Sequence, residues 1–502
     1  MSQNKKYYTL STHKTLYFLW VTTILFSATV FSSYAQISEG GTPPSFMYPA
    51  SQKTRSLQNK KNGIKNIYIP FSLDDLKADD ERMKEEFLPP RVAVLLPASF
   101  SPENSGVWST LPGGERIWQL RIMANKAKAI SLYYKKFNLP IGSKLFIYNS
   151  AHTHILGAYT HKTHPGKGKF ATEFVAGDDI ILEYVAPKSD EFPQNPEIEI
   201  EEIGYGYNYL SIKDSYSESL SGSCMVDINC EEGEQWQDHK NGVVKMIIPI
   251  GTSSFLCTGS ILNNTKEDLK PYLLTAFHCL LSSKEQASAS DLSQAQFFFR
   301  YENTTCGSNT PTSPVSMIGC TYIAGVPLEN GVDGALLLLN GKIPDNLNAY
   351  YNGWDRRNIA PQSGVCIHHP QGDVKKISTY DQPAVSDTWK SGSTQGLQDG
   401  HWNVIFKSTA NGHGVTEGGS SGAPLFDQNK RITGFLTGGN ANCTDRKEGR
   451  NLFGKLALFW DQCGTADDQR IDKYLDPIGS GVEYLDGRYA FPPKAVPEQV
   501  VI

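Results

Sequence analysis

No cysteine occurs before Cys224; all nine lie between Cys224 and Cys463. A disulfide framework is thereby excluded from the upstream part of the chain and expected in the part that follows. The odd count leaves at least one thiol unpaired within the chain. Basic charge is not in excess either. Lys and Arg number 47 against 52 Asp and Glu, a net charge of −5, which argues against a nucleic-acid partner, since that binding needs a basic face. Beyond Phe31 no apolar run is long enough to span a membrane. A phosphate-binding glycine loop of recognised spacing and a CxxC zinc pattern are also missing.

What is present begins with a targeting pattern. Lys5, Lys6 and Lys14 precede an apolar stretch from Leu16 to Phe31, and Ser33-Tyr34-Ala35 puts small residues before Gln36. This predicts a signal peptide over 1–35 and an exported protein, extracellular or periplasmic, with no stable membrane insertion after cleavage. An uncleaved anchor helix is the alternative. The 502 residues are too many for one ordinary domain. Gly 44, Pro 28, Tyr 24 and Phe 23 suggest a turn-rich, β-rich chain.

Residues 36–90 are polar and broken by Pro, Gly, Lys and Asp, and are expected to be largely loop. Over 91–187 the pattern changes to short alternating runs such as RIWQLRIMA, AISLYYKKFNL and DDIILEYVAP, separated by turn residues. These predict an antiparallel β-sandwich of about a hundred residues. A linker is expected over 188–221. Short β-type runs resume at Gly222, among them GVVKMIIPIG and RITGFLTGG, and DDQRIDKYLDP near the end has helical spacing. Residues 489–502 are expected to form a C-terminal tail.

Three segments carry chemistry. LLTAFHC places His278 after an apolar run; VDGALLLL opens a buried-type strand with Asp333; EGGSSGAPLF frames Ser421 with Gly418, Gly419 and Gly422. A serine hydroxyl needs a neighbouring base, and an imidazole oriented by a desolvated carboxylate supplies one near neutral pH. Glycines permit the tight turn that turns the Gly419 and Ser421 amides toward a developing oxyanion. Each piece alone has a structural reading: a buried histidine, a turn aspartate, a flexible loop. Together, in the order His, Asp, Ser, they follow the chymotrypsin-type order. Ser420 is the competing hydroxyl, but Ser421 directly precedes Gly422-Ala423-Pro424.

At these motifs the chain resembles the bacterial lysyl endopeptidases, a branch of the trypsin-like serine peptidases. GSCMVDINC (Gly222 to Cys230), CTGSILNNT (Cys257 to Thr265), YLLTAFHC, YENTTC (Tyr301 to Cys306), GWDRRN (Gly353 to Asn358), IHHP (Ile367 to Pro370), EGGSSGAPLF and YLDPIGSG (Tyr474 to Gly481) carry the likeness. It implies an all-β fold: a trypsin-like double β-barrel peptidase domain over 222–488, here preceded by the sandwich-like pro-region. It implies protein or peptide substrates, and no metal or organic cofactor. It also implies disulfides Cys224–Cys443, Cys230–Cys306 and Cys257–Cys279, leaving Cys320, Cys366 and Cys463 for one further pair and one free thiol.

The specificity pocket departs from the family. Where lysyl endopeptidases carry an aspartate that binds the lysine ammonium, this chain has Asn451, in Asn451-Leu452-Phe453-Gly454-Lys455. Thr437 stands where the family has a histidine before the paired glycines, here Gly438 and Gly439. Asp445 or Glu448 is an alternative source of charge, so the residue preferred before the scissile bond stays open. The Gly434–Gly439 strand is expected to pair with an extended substrate, and Trp389 or Trp402 to pack near His278.

The N-terminal region occupies the place of a propeptide, with Lys213 the nearest basic residue before the expected boundary. It is read as an intramolecular inhibitor or folding aid, or as a module that stays attached. His152, His154, His161 and His164 could meet across a hairpin and bind a metal; exposed hairpin histidines are the simpler reading. The rival to a secreted serine endopeptidase is a non-catalytic peptide-binding or adhesin-like protein built on a peptidase fold.

Overall fold

The alternating runs upstream of the cysteines form two facing sheets. A computed structural model describes residues 38–48, 63–166, 168–187, 195–208, 220–444 and 449–491; the signal segment and Lys213 lie outside them. One sheet has the order Ile64–Asn66, Arg116–Met123, Asp179–Val185, Lys144–Asn149, Ile155–Tyr159, with Val107–Thr110 paired to Arg116–Met123. The other contains Arg91–Phe100, Glu197–Gly206 and Ala129–Asn138. Period-two alternation sends Trp118, Leu120 and Ile122 from one sheet, and Ile130, Leu132 and Tyr134 from the other, into a common core.

Two segments depart from expectation. Leu73–Glu85, expected as loop, is an α-helix. Its apolar stripe is thin, with Met83 its buried residue. Its ends are nevertheless well made: the Ser72 side chain accepts from the Asp74 N–H, acids stand in the first turn, and Arg82 and Lys84 in the last. The expected linker contains strand Glu197–Gly206, which lies between Arg91–Phe100 and Ala129–Asn138.

After Ser221 come two strongly curved, barrel-like antiparallel sheets. The first runs Val315–Ile318, Gln296–Phe299, Val243–Ile250, Ser253–Leu262, Tyr272–Ala276, Gly334–Leu339, Cys320–Val326. Gly319 (φ +84°) directly links its two outermost strands, so the sheet curls onto itself around Met246, Phe297, Met317 and Leu337. The second runs Val226–Asp227, Lys376–Tyr380, Gly364–His368, Pro424–Phe426, Ile432–Gly439, Asn451–Lys455, His401–Asn403, Val385–Asp387. Leu274, Leu336, Phe435 and Phe459 pack between the two barrels. The double-barrel plan is therefore the observed one. The helical spacing near the C-terminus yields two short turns, Asp467–Gln469 and Asp472–Leu475, separated by extended Arg470.

The sandwich and the first barrel are not separate sheets. Arg91–Phe100 pairs along one edge with Glu197–Gly206 and along the other with Ser253–Phe255, in register Val94↔Ser253 and Ala93↔Ser254. Tyr133 Oη lies 2.9 Å from Ser254 Oγ, and Gln294 Nε2 donates to the Phe170 carbonyl at 2.9 Å. All described residues fall in one compact unit, Ser33–Ile502.

Three disulfides join Cys224–Cys443, Cys230–Cys306 and Cys257–Cys279. The expected fourth pair is not formed. Cys320 sits in the first-barrel core, Cys366 in the second, and Cys463 against the inter-barrel cluster. Burial pushes the Cys320 and Cys366 thiols up, so both are inert packing residues.

Candidate active site

The strand Tyr272–Ala276 ends in a single turn, Phe277–Leu280, which carries His278 and Cys279. The disulfide to Cys257 ties this turn to the neighbouring strand. Asp333 sits just before Gly334–Leu339, fully buried at a left-handed φ of +62°, a conformation Asp tolerates better than most residues. Its carbonyl accepts the Phe277 N–H at 2.8 Å. Its carboxylate is held twice by one residue. The His278 backbone N–H donates to Oδ1 at 2.9 Å, and Nδ1 lies 2.7 Å from Oδ2. A carboxylate beside Nδ1 fixes the tautomer with the proton there, leaving Nε2 as the basic nitrogen.

The loop Gly418–Gly422, which carries the candidate nucleophile Ser421, is pressed against the same strand end. The Ser421 carbonyl accepts the Thr258 N–H at 2.9 Å, and Thr258 Oγ1 donates to the Gly419 carbonyl at 2.8 Å. A Cβ on Gly422 (φ +81°) would lie 2.1 Å from Thr275 Oγ1 and 2.8 Å from the Ala276 nitrogen, so only glycine lets the loop approach this closely. The N–H groups of Gly419 and Ser421 have no protein partner among the described residues. They are available donors on either side of Ser420.

Geometry separates the two serines. Ser420 is fully buried, its Oγ 2.8 Å from His368 Nδ1 and 3.3 Å from the Glu417 nitrogen. His368 Nε2 lies 3.1 Å from Ser378 Oγ, which itself donates to the Val415 carbonyl. The consistent assignment has Nε2–H donating to Ser378 and the Ser420 hydroxyl donating to Nδ1. Burial pushes the His368 pKa down to about 3, so the chain is neutral and structural. Ser421 is partly exposed and lines a cavity of about 420 Å³ with Thr416, Leu436, Thr437 and Gly438.

The pocket residues lie as follows. Thr437 is bulged out of register between Leu436 and Gly438, and its Oγ1 is 3.1 Å from His401 Nε2. His401, which no sequence motif flagged, is fully buried. Burial lowers its pKa to about 4, against the pull of Asp333 and Asp387. Gly438 lies against Trp389, where a Cβ would be 3.2 Å from the indole, and Gly439 pairs with Asn451. Trp389 therefore stands by the strand Ile432–Gly439, whereas Trp402 joins the second-barrel core. Asn451 is 1% exposed and lies behind Thr416: Oδ1 accepts from Thr416 Oγ1 at 3.0 Å, and Nδ2 donates to the Val404 carbonyl at 3.1 Å. Arg450 beside it pairs with Asp387 at 2.8 Å. Asp445 and Glu448 lie outside the described residues.

Three of the four hairpin histidines have separate partners. His152 stacks on Phe46, His154 Nδ1 accepts the Ala176 N–H, and half-buried His164 packs against Phe170. Among the described residues no cluster of His, Cys, Asp or Glu has the arrangement of a metal site.

Residues 219–454 match the family model described as the lysyl endopeptidase C-terminal domain. The chain is 30% identical over 315 residues to the lysyl endopeptidase of Pseudomonas aeruginosa, covering 60% of this chain and 62% of that protein. It is 22% identical over 267 residues to the secreted RxLR effector protein 73 of Plasmopara viticola, covering 50% and 62%. The chain thus spans about 62% of the length of these curated relatives. Among solved structures it is similar to the active form of the Rv3671c protease of M. tuberculosis, with TM-score 0.31, 14% identity, and coverage of 48% and 88%. It is also similar to the thermostable serine protease AL20 from an extremophilic microorganism, with TM-score 0.31, 14% identity, and coverage of 43% and 91%.

Proposed function

We propose that this lysyl endopeptidase-like chain is a serine endopeptidase, exported as a precursor, that hydrolyses peptide bonds through His278, Asp333 and Ser421. The observation that carries the reading is the doubly bonded Asp333–His278 pair, set beside a nucleophile loop that only glycine allows so near. His278 Nε2 takes the Ser421 proton as Oγ attacks the scissile carbonyl. The imidazolium is stabilised by buried Asp333 and returns its proton to the leaving amine. The Gly419 and Ser421 amides receive the oxyanion, a contribution of about 3–4 kcal/mol per donor in enzymes where it has been dissected. Water then repeats the sequence on the acyl-enzyme.

The glycines of Ile432–Gly439 suit backbone pairing with an extended substrate. With Asn451 engaged at both ends of its amide behind Thr416, the pocket supplies no carboxylate from that position. Glu417 also lines the cavity, but its carboxylate accepts the Gly222 N–H at 3.2 Å, so we read the pocket as effectively neutral, with no strong lysine preference. In the precursor the N-terminal sandwich acts as folding aid and inhibitor: its strand Arg91–Phe100 completes an edge of the catalytic barrel.

The test is digestion of a diverse peptide library by the purified protein, read by mass spectrometry, with Ser421→Ala as control. Cuts that vanish in the variant support the peptidase. Their absence in the wild type after removal of the N-terminal region would favour a peptide-binding protein.

A further inference from the structure

The candidate cleft already has an occupant. The wall facing Thr416–Gly418, Ser421 and Leu436–Gly439 is formed by Asp80, Met83, Lys84 and Phe87–Arg91 of the N-terminal region. Phe87 meets the Trp389 ring edge-on at 5.1 Å, near Gly438. Pro90 lies against Gly418, where a Cβ would be 2.8 Å from Pro90 Cγ, and its carbonyl accepts the Leu256 N–H at 2.9 Å. From Phe87 to Arg91 the chain thus crosses in front of the nucleophile loop, from the substrate strand to the disulfide-bearing strand of the first barrel.

The backbone of this segment is stripped of donors. The Phe87 N–H is bonded to the Lys84 carbonyl and the Leu88 N–H to the Met83 carbonyl, closing the helix Leu73–Glu85. Pro89 and Pro90 have no N–H at all. A substrate lying along Ile432–Gly439 would need backbone N–H groups to pair with that strand. Four consecutive residues here offer none. The proline rings also hold φ near −65°, away from the extended values of a paired strand.

A clamp fixes the far end. Arg91, 8% exposed, donates Nε to Asp80 Oδ1 at 3.0 Å and to Tyr207 Oη at 2.9 Å, and pairs with Asp79 at 3.0 Å. Tyr207 Oη in turn donates to Asp80 Oδ2 at 2.7 Å. The helix end and the start of Arg91–Phe100 are thereby locked together, so the five residues between them, Glu86 to Pro90, bridge two fixed points.

We propose that Phe87–Pro90 is a built-in, non-scissile plug of the peptidase cleft, kept uncut by Pro89–Pro90 and kept in place by the Asp80–Arg91–Tyr207 clamp. The inference rests on the peptidase reading above and deepens it. It specifies which part of the N-terminal region blocks the site and why the enzyme does not digest it.

Two full-chain variants test it. In Pro89→Ala/Pro90→Ala the clamp is untouched but two N–H groups return. The chain should be cut between Phe87 and Arg91, as read by intact mass, and should stay whole when Ser421→Ala is added. In Asp80→Ala/Arg91→Ala the plug loses its anchor. Labelling of Ser421 by a fluorophosphonate probe should then be at least tenfold faster than in the intact wild-type chain. The plug is overturned if the wild type labels as fast as the clamp variant. It is equally overturned if the proline-replaced segment stays whole in a chain whose Ser421 labels. Absence of both labelling and cleavage in every form would instead overturn the peptidase assignment on which the plug depends. The proline variant keeps the test informative should loss of the clamp unfold the sandwich.

Discussion

Asp333 holds His278 by two atoms at once, Oδ1 on the backbone N–H at 2.9 Å and Oδ2 at 2.7 Å from Nδ1. The backbone contact sets where the turn lies and the ring contact sets which nitrogen is basic. Asp333→Asn can keep the first through its amide oxygen, but its NH₂ then faces Nδ1 and favours the wrong tautomer. Turnover should fall by about 10⁴-fold with the fold intact. Peptide kinetics alongside circular dichroism check this, and a variant within tenfold of wild type would remove Asp333 from the mechanism.

Adjacent Ser420 and Ser421 should respond in opposite ways to the same substitution. Ser420→Ala leaves the buried His368 Nδ1 without its donor, which should cost about 1–3 kcal/mol of stability while activity survives. Ser421→Ala removes a partly exposed hydroxyl, so stability should change by less than about 0.5 kcal/mol while turnover falls on the order of 10⁶-fold. Denaturant unfolding and a peptide assay on both variants decide it. Abolished turnover in Ser420→Ala, with Ser421→Ala active, would exchange their roles.

Why the candidate site was legible and its cover was not follows from the range of the signals. His278, Asp333 and Ser421 each sit in a local pattern whose chemistry is complete within about ten residues: a strand end, a strand start, a glycine turn. The helix Leu73–Glu85 was missed because its marks are a cap and end charges, not an apolar stripe. The edge pairing of Arg91–Phe100 with Ser253–Phe255 joins segments far apart in sequence, and alternation within a strand names no partner. His401 escaped for the same reason: its ring meets Thr437 Oγ1 from another strand, and no spacing records that pairing. The fourth disulfide failed because counting cysteines ignores that Cys320, Cys366 and Cys463 pack in different clusters.

Acid should destabilise the fold through histidines buried in neutral form. His239 packs among Trp236, Tyr350 and Phe426, and burial lowers its pKa to about 4, with Lys430 adding to the effect. In the unfolded chain the imidazole binds its proton near pH 6.5. Between those values the unfolded state holds more protons, so stability falls as pH falls, by up to about 1.4 kcal/mol per pH unit for this one group. His239→Phe keeps an aromatic ring and removes the titration. Its stability loss from pH 7 to 4.5 should be smaller than that of wild type by about 2–3 kcal/mol. Equal losses in urea unfolding would show that His239 is not an acid-sensitive element.

Asn451 offers the sharpest test of the specificity reading. Its amide donates to the Val404 carbonyl and accepts from Thr416, the residue that separates it from the cleft. Asn451→Asp keeps the acceptor but sets a carboxylate oxygen against the Val404 carbonyl. The free protein should therefore lose about 1–3 kcal/mol of stability. The same buried charge acts across Thr416 through a medium that screens it weakly. Peptides with lysine before the scissile bond should gain at least tenfold in kcat/KM relative to methionine peptides of the same sequence. The wild type should show little preference between the two. A wild type already selective for lysine by a hundredfold would mean that a carboxylate other than residue 451 faces the substrate, and the neutral-pocket reading would be wrong.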